Sequence, residues 1–189
     1  NIPAYGAINL HPSFLPDYRG PNPDFWYYYN LDLNPGITVH YIDEGEDTGD
    51  IIYQKKISIP LGIKSPERLD KLIGEHGVNL ILKSIESIVN GDAPRHPQPL
   101  NSTTIRARNI KFNEHAGFIN WDTWHIERIW HFLRGTETWL NAIPQPKGIL
   151  TGHRWTVCEL DKKINLNIKS GSITKFKGRH CIALKDGII

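Results

Sequence analysis

Apolar positions recur along this chain with two periods, and the switches between them mark out its elements. Residues 7–11 form a short apolar run that stops at His11-Pro12. This predicts a strand running into a rigid irregular loop set by Pro12, Pro16, Gly20, Pro21 and Pro23. Residues 24–30, rich in aromatic side chains, follow Pro23 as a short helix whose default role is core packing, and Asn34-Pro35-Gly36 turns the chain. From 36 to 42, Ile37, Val39 and Tyr41 alternate with Thr38 and His40, the pattern of a half-buried strand, and residues 50–59 supply a second β-rich run. The period then lengthens. Leu69, Leu72, Ile73, Leu80, Ile81, Ile85 and Ile88 keep near-helical spacing between a start signal, Ser65-Pro66-Glu67, and Gly91 as the stop.

Beyond that helix the periodicity lapses. Pro94, Pro97, Pro99 and the polar Asn101-Ser102-Thr103-Thr104 stretch predict a linker over 93–117. Residues 119–132 read as an amphipathic helix that Asp122 or Thr123 can cap, with Ile126, Ile129, Trp130 and Leu133 on one face. From 155 to 189 the pattern becomes short strands split by Lys-, Asn- and Gly-containing turns. The expected class is therefore α/β: a first domain over 1–92, the linker, and over 118–189 a helix followed by a small β-rich, OB-like domain. Both ends of the chain fall on strand-like patterns, so a piece of a longer chain, truncated after Asp186-Gly187, is expected.

Composition removes several classes. A chain of 189 residues with 39% hydrophobic side chains can bury a real core. No run approaches the roughly 18 apolar residues of a membrane span, and no basic segment leads into an apolar one at the start, so no membrane partner is expected. Cys158 and Cys181 form neither a disulfide framework nor a zinc pattern, which favours a reducing, cytoplasmic setting. Charge is uneven: acidic residues are in excess over 1–110 and basic ones over 111–189, compatible with a phosphate-bearing partner or with solvated lysines on a small domain.

Candidate chemistry gathers near the start. Asn9 and His11 alternate at the end of one strand, which projects both side chains to one side, about 7 Å apart along the chain. An amide and an imidazolium so placed can hold the oxyanion of a tetrahedral adduct. Asp47, in the Gly-flanked acidic loop 43–49, can raise the pKa of a neighbouring imidazole and accept a proton. The same loop invites a calcium reading, but its twelfth position is Gln54 where a bidentate Glu is needed. His11, His40 and Asp47 would also be sound zinc ligands, the rival enzymatic reading; no metal is expected. His40 is assigned to support or structure.

The flanks resemble a known family. Asn9-Leu10-His11-Pro12-Ser13-Phe14-Leu15-Pro16-Asp17-Tyr18-Arg19-Gly20 is similar to the Asn-x-His-x-Ser-Leu-Leu-Pro-x-Tyr-x-Gly signature of 10-formyltetrahydrofolate-dependent formyltransferases, with Phe14 in place of the usual Leu. Gly36-Ile37-Thr38-Val39-His40 leading into residues 43–52 matches a second family motif in the same order. The family includes glycinamide ribonucleotide formyltransferase, methionyl-tRNA formyltransferase and the enzymes that formylate nucleotide-linked amino sugars. The resemblance implies the second half of a Rossmann-like formyltransferase sheet, with about a hundred preceding residues of such enzymes absent here. It implies Asn9, His11 and Asp47 as the catalytic trio. Ile42, Asp43, Glu44, Gly45, Glu46 and Asp47 would wall the pterin site, and Pro12, Ser13, Arg19 and Gly20 would form the substrate loop. It also implies 10-formyltetrahydrofolate as co-substrate and a cis bond at Leu15-Pro16. Ile119-Asn120-Trp121, Ser170-Gly171-Ser172-Ile173 and Asp186-Gly187 resemble the C-terminal, oligonucleotide-binding-fold domain of methionyl-tRNA formyltransferases.

The resemblance implies a primary amine as acceptor. Pro21-Asn22-Pro23-Asp24-Phe25-Trp26 after Arg19-Gly20 looks closer to the sugar-modifying branch, while the basic C-terminal part pulls toward methionyl-tRNA; the balance tips slightly to an amino-sugar nucleotide. A homodimer is compatible with the sequence. The alternative of another class is a non-catalytic nucleic-acid-binding remnant carrying the OB-like domain, whose affinity would fall steeply with salt.

Overall fold

The computed structural model describes residues 3–64, 67–137, 139–144 and 155–189, with backbone alone at 67–68. The fold is mixed α/β and divides into two compact units, Asn1–Pro60 with Glu67–Asn109, and Leu61–Pro66 with Ile110–Ile189.

In the first unit, strands β1 (Ile8–His11), β2 (Ile37–Tyr41) and β3 (Ile51–Lys55) form an antiparallel sheet in that order. Helix α1 (Pro23–Asn30) buries Phe25, Trp26, Tyr27 and Tyr28, and helix α2 (Glu67–Asn90) covers one face of the sheet. The period of two assigns the faces. Ile8, Leu10, Val39 and Tyr41, joined by Ile52 and Tyr53 where a bulge in β3 breaks the alternation, pack with Leu80, Ile81 and Ile88 of α2. Asn9, His11, Thr38 and His40 are left to the opposite face, with Asn9 paired to His40 and His11 to Thr38.

Two expectations need correction here. All five residues of β2 are buried, so it is not half-buried. Thr38 is closed in because its hydroxyl donates to the Ser13 carbonyl at 2.8 Å and accepts the Leu15 N–H at 3.0 Å. On α2, Ile85 faces outward while Ser84 is buried, its hydroxyl returned to the Leu80 carbonyl at 2.8 Å. Both strand pairs of this sheet are antiparallel. The helix stop does fall at Gly91: its N–H reaches the Ile88 carbonyl at 3.2 Å and that of Asp92 reaches Ser87 at 3.0 Å, a Schellman motif. The start signal Ser65-Pro66, with the Glu67 side chain, lies outside the described residues. The Leu15-Pro16 bond is cis.

Residues 93–109, within the stretch expected to be a linker, belong to the first unit. His96 exchanges backbone hydrogen bonds of 2.9 and 3.0 Å with Ile51, and Ala107 donates to the Arg19 carbonyl at 2.7 Å and accepts from Asn22 at 2.9 Å. Between these points the hydroxyls of Ser102, Thr103 and Thr104 bind the Pro16 carbonyl, the Asp17 carboxylate and the Tyr18 N–H. A segment held by its backbone and hydroxyls needs no apolar face, which is why it shows no hydrophobic period.

In the second unit a 3-10 turn, Phe112–Gly117, precedes helix α3 (Ile126–Gly135), which buries Ile126, Ile129, Phe132 and Leu133. The expected caps Asp122 and Thr123 do not start it. Their N–H groups turn onto Asn120 Oδ1 at 3.2 and 3.0 Å, and the first helical N–H, of Ile126, is met at 3.1 Å by the carboxylate of Asp186. Strands β4 (Ile173–Phe176), β5 (Arg179–Leu184) and β6 (Gly187–Ile188) form an antiparallel meander. Residues 155–172, expected to hold strands, contribute a single bridge from Asp161 to Ile188.

Candidate active site

The polar face of the sheet collects three side chains, Asn9, His11 and His40, beside one carboxylate. Asn9 and His11 stand on the same side of β1, and the register of β2 sets His40 directly across from Asn9. The acidic loop between β2 and β3 brings Asp47 over the pair, and β3, entered from that loop, carries a bulge at Ile52 beside Val39 and His40. Asp47 Oδ2 lies 3.6 Å from His11 Nδ1, and Oδ1 lies 3.6 Å from His40 Nε2. These separations exceed a hydrogen bond but allow strong charge interaction. The Asn9 amide approaches His40 Nε2 at 3.4 Å, while His40 Nδ1 donates to the Tyr41 carbonyl at 2.8 Å. His40, read from the alternation as support or structure, thus touches both Asn9 and Asp47. Only the strand pairing reveals this.

Two residues in left-handed backbone face the same imidazole. Tyr18 (φ 55°) presents its carbonyl to His11 Nε2 at 3.0 Å, and Asp47 (φ 54°) presents its carboxylate to Nδ1. Such a conformation costs a non-glycine residue about 1 kcal/mol, and its repetition around one side chain points to a functional constraint. Both ring nitrogens face acceptors, so only the doubly protonated ring can donate to both. Burial opposes that state. It lowers the His11 pKa below its ordinary 6.5 against the upward pull of Asp47, so the resting ring is neutral at neutral pH, where the carboxylate alone would favour the imidazolium. Burial by itself would raise the Asp47 carboxyl. The His40 ring, the Gly20 N–H at 2.9 Å and His11 outweigh it and hold Asp47 below the usual carboxylate value.

Of the other positions singled out in the sequence, Ile42, Asp43, Glu44, Gly45 and Glu46 form an exposed turn beside Asp47, tied by Asp43 to Thr48 Oγ1 at 2.7 Å and to the Gly45 N–H at 3.0 Å. Ser13 is fully buried, donating to the Asp17 carbonyl, and Pro12 is half-buried. Gly20 lies against Ala107, whose carbonyl would be 2.9 Å from an added Cβ, and its φ of +121° also favours glycine. Arg19 is buried and turned inward. Among the described residues no group of three His, Cys, Asp or Glu side chains is placed to hold a metal ion. A cavity of about 560 Å³ opens in the second unit near Trp155, Phe176 and Ile188, and none of Asn9, His11 or Asp47 borders it.

Gly49 fixes where the acidic loop rejoins the sheet. A Cβ there would sit 1.8 Å from the Tyr41 carbonyl oxygen, an impossible approach to backbone. Gly49→Ala is therefore expected to cost about 2 kcal/mol of stability, the scale of overpacking, and to shift Asp47. Chemical denaturation checks the first effect. An unchanged midpoint would show that the loop absorbs the methyl group freely.

Comparison with known proteins bears on this arrangement. Residues 1–85 match the formyl transferase family. The methionyl-tRNA formyltransferase of Halothermothrix orenii is 37% identical over 169 residues, covering 86% of this chain and 52% of that protein. That of Thermodesulfovibrio yellowstonii is 32% identical over 188 residues, covering all of this chain and 58% of that protein. The chain thus spans little more than half the length of these relatives. Among solved structures, an N-formyltransferase from Helicobacter canadensis, crystallised with folinic acid and dTDP-3-aminofucose, superposes with a TM-score of 0.67 at 24% identity, over 96% of this chain and 63% of that one; at this identity the likeness speaks for the fold.

Proposed function

This chain belongs to the formyltransferase family, and on that footing we propose that it carries the reacting groups of an enzyme that moves the formyl group of 10-formyltetrahydrofolate to a primary amine. The observation that carries the reading is the convergence of Asn9, His11 and Asp47 from β1 and the acidic loop. The amine nitrogen attacks the formyl carbon, and negative charge builds on the former carbonyl oxygen. Asn9 and His11 hold that charge. The resting His11 ring is neutral, so the arriving charge, added to that of Asp47, favours the imidazolium. Asp47 takes up the proton released by the amine and passes it to the ring, and as a carboxylate again it sustains the imidazolium until that proton moves on to the folate nitrogen. The bond from carbon to the folate nitrogen breaks, that nitrogen receives the proton, and tetrahydrofolate leaves. The exposed backbone of residues 42–47 serves as the wall for the pterin. No step calls for a metal.

The acceptor we favour is an amino-sugar nucleotide, supported by the Pro21–Trp26 segment that leads into the buried aromatic helix α1. Methionyl-tRNA is the second reading, supported by the methionyl-tRNA formyltransferases among the sequence relatives and by the basic excess over 111–189. We read the first unit as the second half of the family's catalytic sheet. In the second unit, we read α3 with the β4–β6 meander as an OB-like module in a cytoplasmic enzyme. The test is to incubate the intact protein and 10-formyltetrahydrofolate with a panel of amino-sugar nucleotides and, separately, with charged initiator tRNA. A folate-dependent mass gain of one carbonyl unit on one class names the acceptor. No gain on any amine, together with RNA affinity that falls steeply with salt, would instead favour a binding module.

A further inference from the structure

Gln98 sits in the segment whose composition suggests a linker, yet its amide is fully committed to the site. Its Nε2 donates to the carbonyls of Asp47 at 3.0 Å and Gly49 at 2.8 Å. Its Oε1 accepts from Arg19, through Nε at 3.2 Å and Nη2 at 2.7 Å. The orientation follows from chemistry, because a flipped amide would set its oxygen against two carbonyls and its NH2 against a guanidinium. Arg19 is buried and otherwise donates to the Leu100 and Pro99 carbonyls at 3.1 and 2.9 Å, so among the described residues its acceptors are all neutral. The next residue, Gly20, donates its N–H to the Asp47 carboxylate at 2.9 Å. A closed circuit results. Arg19 and Gly20 are neighbours in sequence; one grips Gln98, which grips the backbone of Asp47, and the other grips the carboxylate.

We propose that Gln98 is a positioning residue, which clamps the left-handed turn at Asp47 and, through Arg19, fixes the carboxylate at its distance from His11 and His40. In its catalytic sense this rests on the formyl-transfer reading. A turn in an unfavourable backbone conformation relaxes unless its surroundings hold it, and two amide hydrogen bonds to consecutive parts of that turn supply the restraint.

Two variants in the intact protein separate positioning from mere packing. Gln98→Glu keeps an acceptor for Arg19 and adds charge to it, but replaces the two donors with an acceptor facing two carbonyls. Gln98→Leu keeps the bulk and removes both sides. Positioning predicts that both lower kcat by about ten- to a hundredfold, the scale of small misplacements at a reacting centre, with the amine KM little changed. The His11 ring titration, followed by NMR, gives a readout independent of turnover. Asp47 pulls the His11 pKa upward, so releasing it should move that pKa further down in Gln98→Glu. The new carboxylate could by its own charge only push it up. Should Gln98→Leu fail to fold, the Glu variant alone decides. A Gln98→Glu protein with parental kcat and an unmoved or raised His11 pKa overturns the proposal. If the unsubstituted protein transfers no formyl group, the functional reading fails, and the His11 titration still decides whether Gln98 holds Asp47.

Discussion

Asp47→Asn is expected to lower turnover at least about a hundredfold while the fold survives, the scale on which a lost charge-stabilising or proton-accepting group shows itself. Asn is the informative replacement. Its side-chain oxygen can still accept the Gly20 N–H, and Asn tolerates the left-handed backbone at this position better than most residues. What it lacks is the charge, and with it the capacity to favour the His11 imidazolium or to hold a proton. The His11 pKa should therefore fall further below its ordinary value, because burial would act without its main opponent. Turnover with 10-formyltetrahydrofolate and the preferred amine, beside an NMR titration of the ring, tests both limbs. Combining Asp47→Asn with His11→Ala should cost little more than either change alone, as expected of groups that act as a unit. Near-parental turnover in the Asn variant, with the histidine titration displaced, would remove Asp47 from the chemistry while leaving it an electrostatic neighbour.

The arrangement around Asp47 also shows what a sequence exposes and what it hides. Asn9 and His11 share a face because side chains in a strand alternate, and that relation is local, so two letters of spacing suffice. The place of His40 beside Asn9 depends on which strand pairs with which and in what register, and that is settled 31 residues away. Thr38 reads as an outward position because polar residues in an alternating strand usually face water; here it is buried against the loop that carries Ser13 and Leu15. Helices α1 and α2 were legible from punctuation, Pro23 before one and Gly91 after the other. The start of α3 was not, because the group that meets its first N–H, Asp186, comes from the far end of the chain. Least legible was the path of residues 93–109. Prolines, hydroxyls and one glutamine amide hold it down, and no periodic pattern records such contacts.

The second unit should weaken as pH falls from 7 to 4, and one histidine sets the size of the effect. His131 is fully buried in α3, and its Nδ1 accepts the Gly62 N–H at 2.8 Å, so that nitrogen carries no proton in the folded state. Burial pushes its pKa from 6.5 down to about 4. The unfolded chain therefore takes up a proton at a higher pH than the folded one. Stability is present in full above 6.5, is lost through the window between 6.5 and about 4, and is not lost further below it. A shift of this size corresponds to about 3 kcal/mol, a large part of the 5–15 kcal/mol that holds a typical domain together. His11, also lowered by burial, acts with the same sign in the first unit, whereas Asp47, depressed below 3.8, contributes only at still lower pH. Denaturant titrations at a series of pH values measure the slope. His131→Asn separates the contributions, because the Asn oxygen can take the place of Nδ1 as acceptor for Gly62 without titrating. The variant should be less pH-dependent than the parent by about 3 kcal/mol over this window, and an undiminished slope would mean that the buried imidazole does not govern acid sensitivity.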